Sequence, residues 1–241
     1  MEMHGTEALT FKKGLKDGLP ICLGYISVSF TFGMMATQGG LPLWAVMLIT
    51  MSNMTSAGQF AGTELILSGG HYIELVVTTF VINIRYMLMS LSLSQKVDGA
   101  MTSLQRLVLS FGVTDEIFAV AMKQDGSIGA RYLLGLILTP YTGWTLGTLL
   151  GGTATCLLPV SVRTALGIAI YGMFIAIIVP PAKHTRPVAL AIAIAVVLSC
   201  LFRWTPFLNR TSGGWVIIIC AVVASAYAAL RYPVDDPEVQ E

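Results

Sequence analysis

The sequence predicts an all-α, polytopic integral membrane bundle, and three observations lead there. Of 241 residues, 55% are hydrophobic, only 11% are charged, and the mean hydropathy is +0.75. A surface that faces water needs roughly a quarter of its residues charged, more than twice what this chain carries. The charges are also clumped, near 2–17, 95–131, 181–186, 203–210 and 231–241, with near-neutral stretches between. Fourteen Lys and Arg against thirteen Asp and Glu leave +1, so net charge points to neither nucleic acid nor an acidic partner.

A helix needs about 20 mainly apolar residues to cross the hydrocarbon core, and the runs can be taken in order. Residues 1–17, with Lys12, Lys13 and Lys16, read as a cytoplasmic tail. The run 18–38 is too long for a signal peptide and lacks a small-residue cleavage site, so it is expected to remain as the first span. The second run, 42–68, is interrupted by Ser52-Asn53-Met54-Thr55-Ser56-Ala57-Gly58-Gln59. It is expected either to cross as one long broken helix or to re-enter as two half-helices. The third, 72–94, carries Arg85 at its centre. Then come 104–122, 131–154, 160–180, 187–203 and 213–231. This makes seven or eight transmembrane segments in one domain, 18–231, followed by a polar acidic tail, 232–241. The runs are too long and too weakly alternating for a lipid-facing β-barrel. Counting Lys and Arg places the N-terminus inside whether 42–68 crosses or re-enters, so the count does not choose between the two.

Polar residues where lipid should be are the functional signal. An ionisable group near the middle of a span costs about 2.5–3.5 kcal/mol on insertion scales. Arg85 sits within Phe80–Leu88, and Thr114-Asp115-Glu116 falls inside the run 107–122. Asp115 and Glu116 are about 100° apart on a helix, so they should find different partners. If one pairs with Arg85, the other is left over. Protonated, it would be cheap to bury, as a proton-carrying site requires. The plainer alternative is that Arg85 and one acid only lock two helices together. Asn83 lies about 200° from Arg85 and should face the other way. Glu64 and Glu74, near span ends, are expected at the interface.

The interruption at Ser56, Gly58 and Gln59 exposes a positive half-helix end, which transporters use to hold a substrate carboxylate near the midplane; a simple kink is the alternative. Gly143, Gly147 and Gly151 form a small-residue stripe that allows close helix packing, with Trp144 packed beside it. Cys22, Cys156, Cys200 and Cys220 are scattered in apolar runs and read as small buried hydrophobes, without metal or redox spacing. A GxSG-like nucleophile with an in-span His, an HExxH zinc motif and a Walker motif are all missing. No enzyme activity, metal or cofactor is therefore expected. A polar path through an apolar bundle reads as transport, with a non-transporting assembly subunit or a channel for small zwitterions as competing readings.

Six short signatures in order carry a family resemblance: Gly14-x₂-Asp17-Gly18-Leu19-Pro20, Phe30-Thr31-Phe32-Gly33, Ser56-Ala57-Gly58-Gln59-Phe60, Asn83-Ile84-Arg85-Tyr86, Thr114-Asp115-Glu116-Ile117-Phe118-Ala119 and Gly143-Trp144-x₂-Gly147-Thr148. With these the chain resembles the AzlC family, the large subunit of bacterial branched-chain amino acid exporters. The resemblance implies a multi-pass inner-membrane secondary transporter working as an antiporter with a small AzlD-type membrane subunit. It implies export of Leu, Ile and Val, and by extension Met, driven by the proton gradient. The family pattern has His where this chain has Tyr86, which moves the expected proton role to Asp115 or Glu116.

Overall fold

The structure, a computed structural model, describes residues 9–154, 178–180 and 182–232, with single positions at 159, 161 and 175. Most of the expected span 160–180, Cys156, and residues 1–8 and 233–241 lie outside the described residues. Nine α-helices are seen among those described: α1 Phe11–Gln38, α2 Leu43–Ser52, α3 Ser56–Leu67, α4 Tyr72–Lys96, α5 Ser103–Ser110, α6 Asp115–Met122, α7 Ala130–Ala154, α8 Arg186–Trp204 and α9 Gly213–Arg231. Five of them, α1, α4, α7, α8 and α9, are long and apolar enough to cross a membrane. No strand occurs among the described residues, only an isolated bridge between Val97 and Ile128. The all-α membrane bundle expected from composition is what forms.

The chain divides into two compact units, Met1–Thr63 with Ile82–Gly167, and Glu64–Val81 with Ile168–Glu241. The first is organised by α1 and α7. The glycine stripe faces α1: a side chain at Gly143 would meet Cys22, one at Gly147 would meet Ile26 and Ser29, and one at Gly151 would meet Phe30. Gly14, Gly18 and Gly33 of α1 sit just as tightly on Tyr132–Leu136, Leu136–Pro140 and Thr148–Gly152. The partner of the stripe is thus α1 of the same chain. Contacts climb both helices together, so α1 and α7 run parallel. Tyr132 donates to Asp17 (2.9 Å) and Thr139 to the Leu15 carbonyl (3.3 Å) at their starting ends. The helix begins at Phe11, capped by Thr10, so residues 11–17 are the first turns of α1.

Parallel α1 and α7 constrain everything between them. Call the end of this pair where both helices start the near end, and the other the far end. The chain leaves α1 at the far end and must enter α7 at the near end. α4 makes that journey: its Asn83 lies at mid-depth beside Thr55, and Lys96 at its C-terminus accepts from Ile128 at the start of α7 (2.9 Å). The two broken runs therefore begin and end on the same side.

The first is a hairpin from the far end. Leu43 packs at Gly152, Thr50 bonds Thr148 (3.1 Å), and the Met51 carbonyl reaches Tyr141 (3.1 Å) as α2 descends. After the turn, Gln59 of α3 lies beside Thr50 (2.5 Å), and Phe60 is edge-to-face with Phe32 at 5.3 Å, so α3 turns back. Residues 42–68 re-enter.

The run 104–122 departs from expectation. It is not one span but a second hairpin, α5–α6, from the near end. Its tip reaches Ile137 and Tyr141 through Gly112 and Phe111, and Met122 returns to Lys96 of α4 (2.6 Å). The physical reason is local. Thr114 is extended (φ −113°, ψ 173°) and its hydroxyl accepts the Ile117 N–H (3.4 Å) as an N-cap. Asp115 and Glu116 in the following turn complement the helix dipole. Gly112 is pressed against Ile137, where no side chain would fit.

In the second unit, Glu74 in the first turn of α4 is buried, only 2% exposed, and not interfacial as expected. Its carboxylate accepts from the Gly214 and Trp215 backbone N–H groups (2.8 and 3.3 Å) and from the Ser212 hydroxyl. It therefore caps the N-terminus of α9, where unpaired donors and a positive end favour an anion.

Two outcomes are expected. Gly147→Leu or Gly151→Leu should lower thermal stability in detergent by an overpacking cost of about 1–3 kcal/mol or more, while Gly24→Leu, with open space around it, should not. In a background without native cysteines, single cysteines at 40 and 69 should label from one membrane face and those at 99 and 126 from the other. Crossing by both broken runs would instead put 40 and 69 on opposite faces.

Candidate functional site

The two hairpin tips approach mid-depth from opposite ends and line an open cavity of about 240 Å³. Ser52, Asn53 and Thr55 line it from the first tip, Ser110 and Phe111 from the second, and Asn83 and Tyr86 from α4. Met54 and Val113, one from each tip, are buried in the same apolar cluster beneath it. The broken backbone is tolerated because protein groups satisfy it. The Thr55 hydroxyl accepts the Gly58 N–H (3.3 Å) and donates to Asn83 Oδ1 (2.6 Å), repeating the cap that Thr114 makes on α6.

Charges gather at the second tip. Arg85 pairs with Asp115 at 2.8 Å, both side chains a little under half exposed. Its guanidinium also lies 5.0 Å from the Tyr86 ring centroid and donates to the Tyr86 hydroxyl (3.3 Å). Glu116 points elsewhere, as its helical offset from Asp115 requires, and accepts from the Tyr25 hydroxyl (2.5 Å). The same hydroxyl is hydrogen-bonded to Thr114 Oγ1 (2.8 Å), and the Tyr25 ring stands edge-on to Trp144 at 5.2 Å. Within one short helix turn, one acid is matched to a cation and the other to a phenol. Among the described residues, that asymmetry leaves Glu116 as the acid of the pair without a cation in contact.

The residues expected to matter divide into two groups. Asn83 and Tyr86 line the cavity, and Arg85, Thr114, Asp115 and Glu116 lie beside it without lining it. Asn83 and Arg85, on different faces of α4, each reach a different tip. Ser56 begins α3, and Gly58 is packed where a Cβ would stand 2.9 Å from the Asn83 amide nitrogen. Gln59 is different. It is 1% exposed, its amide nitrogen donates to Thr50 (2.5 Å), and its oxygen accepts from the Trp144 indole (3.0 Å). Its hydrogen-bonding is spent on fastening α3 to α2 and α7, and it lines no part of the cavity. Gly143, Gly147 and Gly151 are confined to the α1 interface.

Two participants were invisible in the sequence. Tyr25 is an aromatic in an apolar run, with no local pattern to separate it from a packed ring. Thr55 was embedded in the interruption, and only its place directly before α3 marks it as a cap. The second break did have a signal, Thr114 followed by two acids, the usual composition of a helix start. On the near side, a second cavity of about 350 Å³ adjoins the first across Ser110 and Val113, lined by Ser90, Ser94, Ser103 and Arg106 among apolar neighbours.

Gln59→Leu should strand the buried Trp144 N–H, while the Thr50 hydroxyl keeps its bond to Thr148. A loss of about 1–3 kcal/mol per unsatisfied group would appear as a lower unfolding temperature of the purified protein, together with a shift in Trp fluorescence.

The family model described as AzlC protein matches residues 20–158. An uncharacterized membrane protein of Archaeoglobus fulgidus is 32% identical over 227 residues, covering 92% of this chain and 95% of the relative. The Escherichia coli inner membrane protein YgaZ is 26% identical over 195 residues, 78% of this chain and 79% of its own length. An uncharacterized membrane protein of Helicobacter pylori is 24% identical over 208 residues, covering 82% and 90%. No solved structure matches.

Proposed function

This chain belongs to the AzlC protein family, a family of membrane proteins, and from that premise we propose that it is the large subunit of a secondary exporter of branched-chain amino acids. The observation that carries the proposal is the mid-depth cavity between two hairpin tips of unlike charge. One tip presents α3, which starts Ser56-Ala57-Gly58 with no acid in its first turn. Thr55 caps its Gly58 N–H, and the positive end of the helix suits a carboxylate. The other presents Asp115 and Glu116, which suit an ammonium. A zwitterion of amino acid size satisfies both ends at once, and a simple anion or cation satisfies only one.

Arg85 keeps Asp115 matched while the site is empty, so the second tip does not carry two uncompensated acids beside the cavity. Glu116, held by Tyr25 and lacking a cation, is the group that would take up the exchanged proton. Protonated, it loses the charge that makes it costly at mid-depth. The apolar wall near Phe111, Met54 and Val113 accommodates an aliphatic side chain. It cannot by itself rank Leu, Ile, Val and Met, because one methylene is worth only about 1–3 kcal/mol. The working unit includes a small AzlD-type subunit, the N-terminus lies in the cytoplasm, and the membrane is the bacterial inner membrane. No bond-breaking chemistry is part of this reading.

The test is made in cells that co-express the small subunit. They are fed a valine-containing dipeptide, and valine leaving the cell is followed. The double variant Asp115→Asn with Glu116→Gln should lose most export, at least tenfold, at unchanged protein level; export at the original rate would exclude the acids from the mechanism. In reconstituted vesicles, uphill valine flux under an imposed pH gradient is the expected result, and flux that only ever runs downhill would identify a channel.

A further inference from the structure

The arrangement of the first six helices has a symmetry that neither composition nor spacing displays. A long helix, α1, runs near to far and is followed by a hairpin from the far end. A second long helix, α4, runs far to near and is followed by a hairpin from the near end. The likeness extends to single atoms. Each tip ends in an apolar residue and a threonine, Met54-Thr55 and Val113-Thr114, and each threonine hydroxyl caps the N–H three residues on, Gly58 or Ile117. Each threonine is also tied across to the long helix of the other half: Thr55 donates to Asn83 of α4 (2.6 Å), and Thr114 is hydrogen-bonded to the Tyr25 hydroxyl of α1 (2.8 Å). These two long-helix partners precede the threonine of their own half by almost the same distance, 25 against 55 and 83 against 114.

We propose that residues 11–67 and 72–122 are two inverted copies of one unit, a long helix plus a hairpin, and that Tyr25–Thr114 and Asn83–Thr55 are equivalent latches released in turn. Helices of opposite direction related in this way exchange roles when one hairpin moves and the other stays. Release of Thr55 from Asn83 frees the tip of α2–α3 and opens the cavity toward the far side. Release of Thr114 from Tyr25 frees the tip of α5–α6 and opens it toward the near side, into the serine-lined cavity that adjoins it at Ser110. Tyr25 and Asn83 are thus positioning residues: they set which face the site is open to. The second latch also includes Glu116, which shares the Tyr25 hydroxyl. A proton arriving at Glu116 therefore acts directly on the near-side latch. The proposal rests on the transport reading for its purpose, although the symmetry and the latches stand on geometry alone.

Accessibility of one reporter tests it without requiring transport. Ser110→Cys, in a background with the four native cysteines replaced by alanine, lies on the cavity wall and bonds only the Leu107 carbonyl of its own helix. Membrane-impermeant maleimide is applied separately to each face of oriented vesicles. Thr55→Val should raise labelling several-fold from the face where α1 ends, and Tyr25→Phe from the face where it begins. Asn83→Leu should reproduce the first shift and Thr114→Val the second. Thr55→Val and Thr114→Val each also remove a helix cap, Tyr25→Phe and Asn83→Leu leave both caps in place, and a single symmetric peak on size exclusion confirms that each variant is folded. Shifts toward the same face, or no shift in folded protein, would overturn the latch pair. Added valine provides the separate readout: it should protect the reporter in the unsubstituted latches. Opposed labelling without protection by any branched-chain amino acid would sink the exporter reading and leave the inverted repeat intact.

Discussion

The close contact of α1 with α7 is the constraint on which the rest of the molecule depends. Within lipid, helices gain nothing from hiding apolar surface from one another, so their association relies on fit and on buried polar contacts. Here the fit comes from glycines on both partners: Gly143, Gly147 and Gly151 receive Cys22, Ile26 and Phe30, and Gly14, Gly18 and Gly33 receive α7 in return. Because the match holds along both helices in the same direction, the intervening chain can make only an odd net number of crossings. One long helix and two hairpins meet that condition. A hairpin on one side together with a crossing on the other would not.

That topology explains how so many unpaired backbone groups and charges are accommodated at mid-depth. Each break leaves orphan N–H groups at the start of a half-helix and orphan carbonyls at the end of its partner. Thr55 and Thr114 each satisfy one donor, and Asp115 and Glu116 bring negative charge to a positive end. Arg85 then offsets one of those acids. Taken alone, each of these groups would be costly in lipid. Gathered around one cavity between two tips, they serve as each other's partners.

The two tips are built alike and charged differently, and that difference is what gives the site a direction. Both carry the same cap and the same kind of latch. Only α6 opens with acids, whereas α3 opens with Ser56, Ala57 and Gly58. Gln59, which looked like a ligand, instead fixes the bare tip to Trp144 and Thr50, holding its N–H groups at a set position beside the cavity.

The low charge content, the lengths of the apolar runs, and the in-span residues 83, 85, 86 and 114–116 were all legible in the sequence, because lipid penalises each polar residue individually and so makes it conspicuous. The glycine stripe was legible as packing for the same local reason. The break at 52–59 could be seen, since it interrupts a run; the break at 111–114 could not, because apolar residues continue through it and only the cap at Thr114 gives it away. Whether a broken run crosses or returns depends on which helices it lies between, and no residue inside the run encodes that. The partners of Gln59, Tyr25 and Asn83 come from residues 85, 89 and 28 positions away. Sequence determined which groups had to be sheltered from lipid. Tertiary structure decided who shelters them, because the parallel seating of α1 on α7 fixes the direction of every helix between.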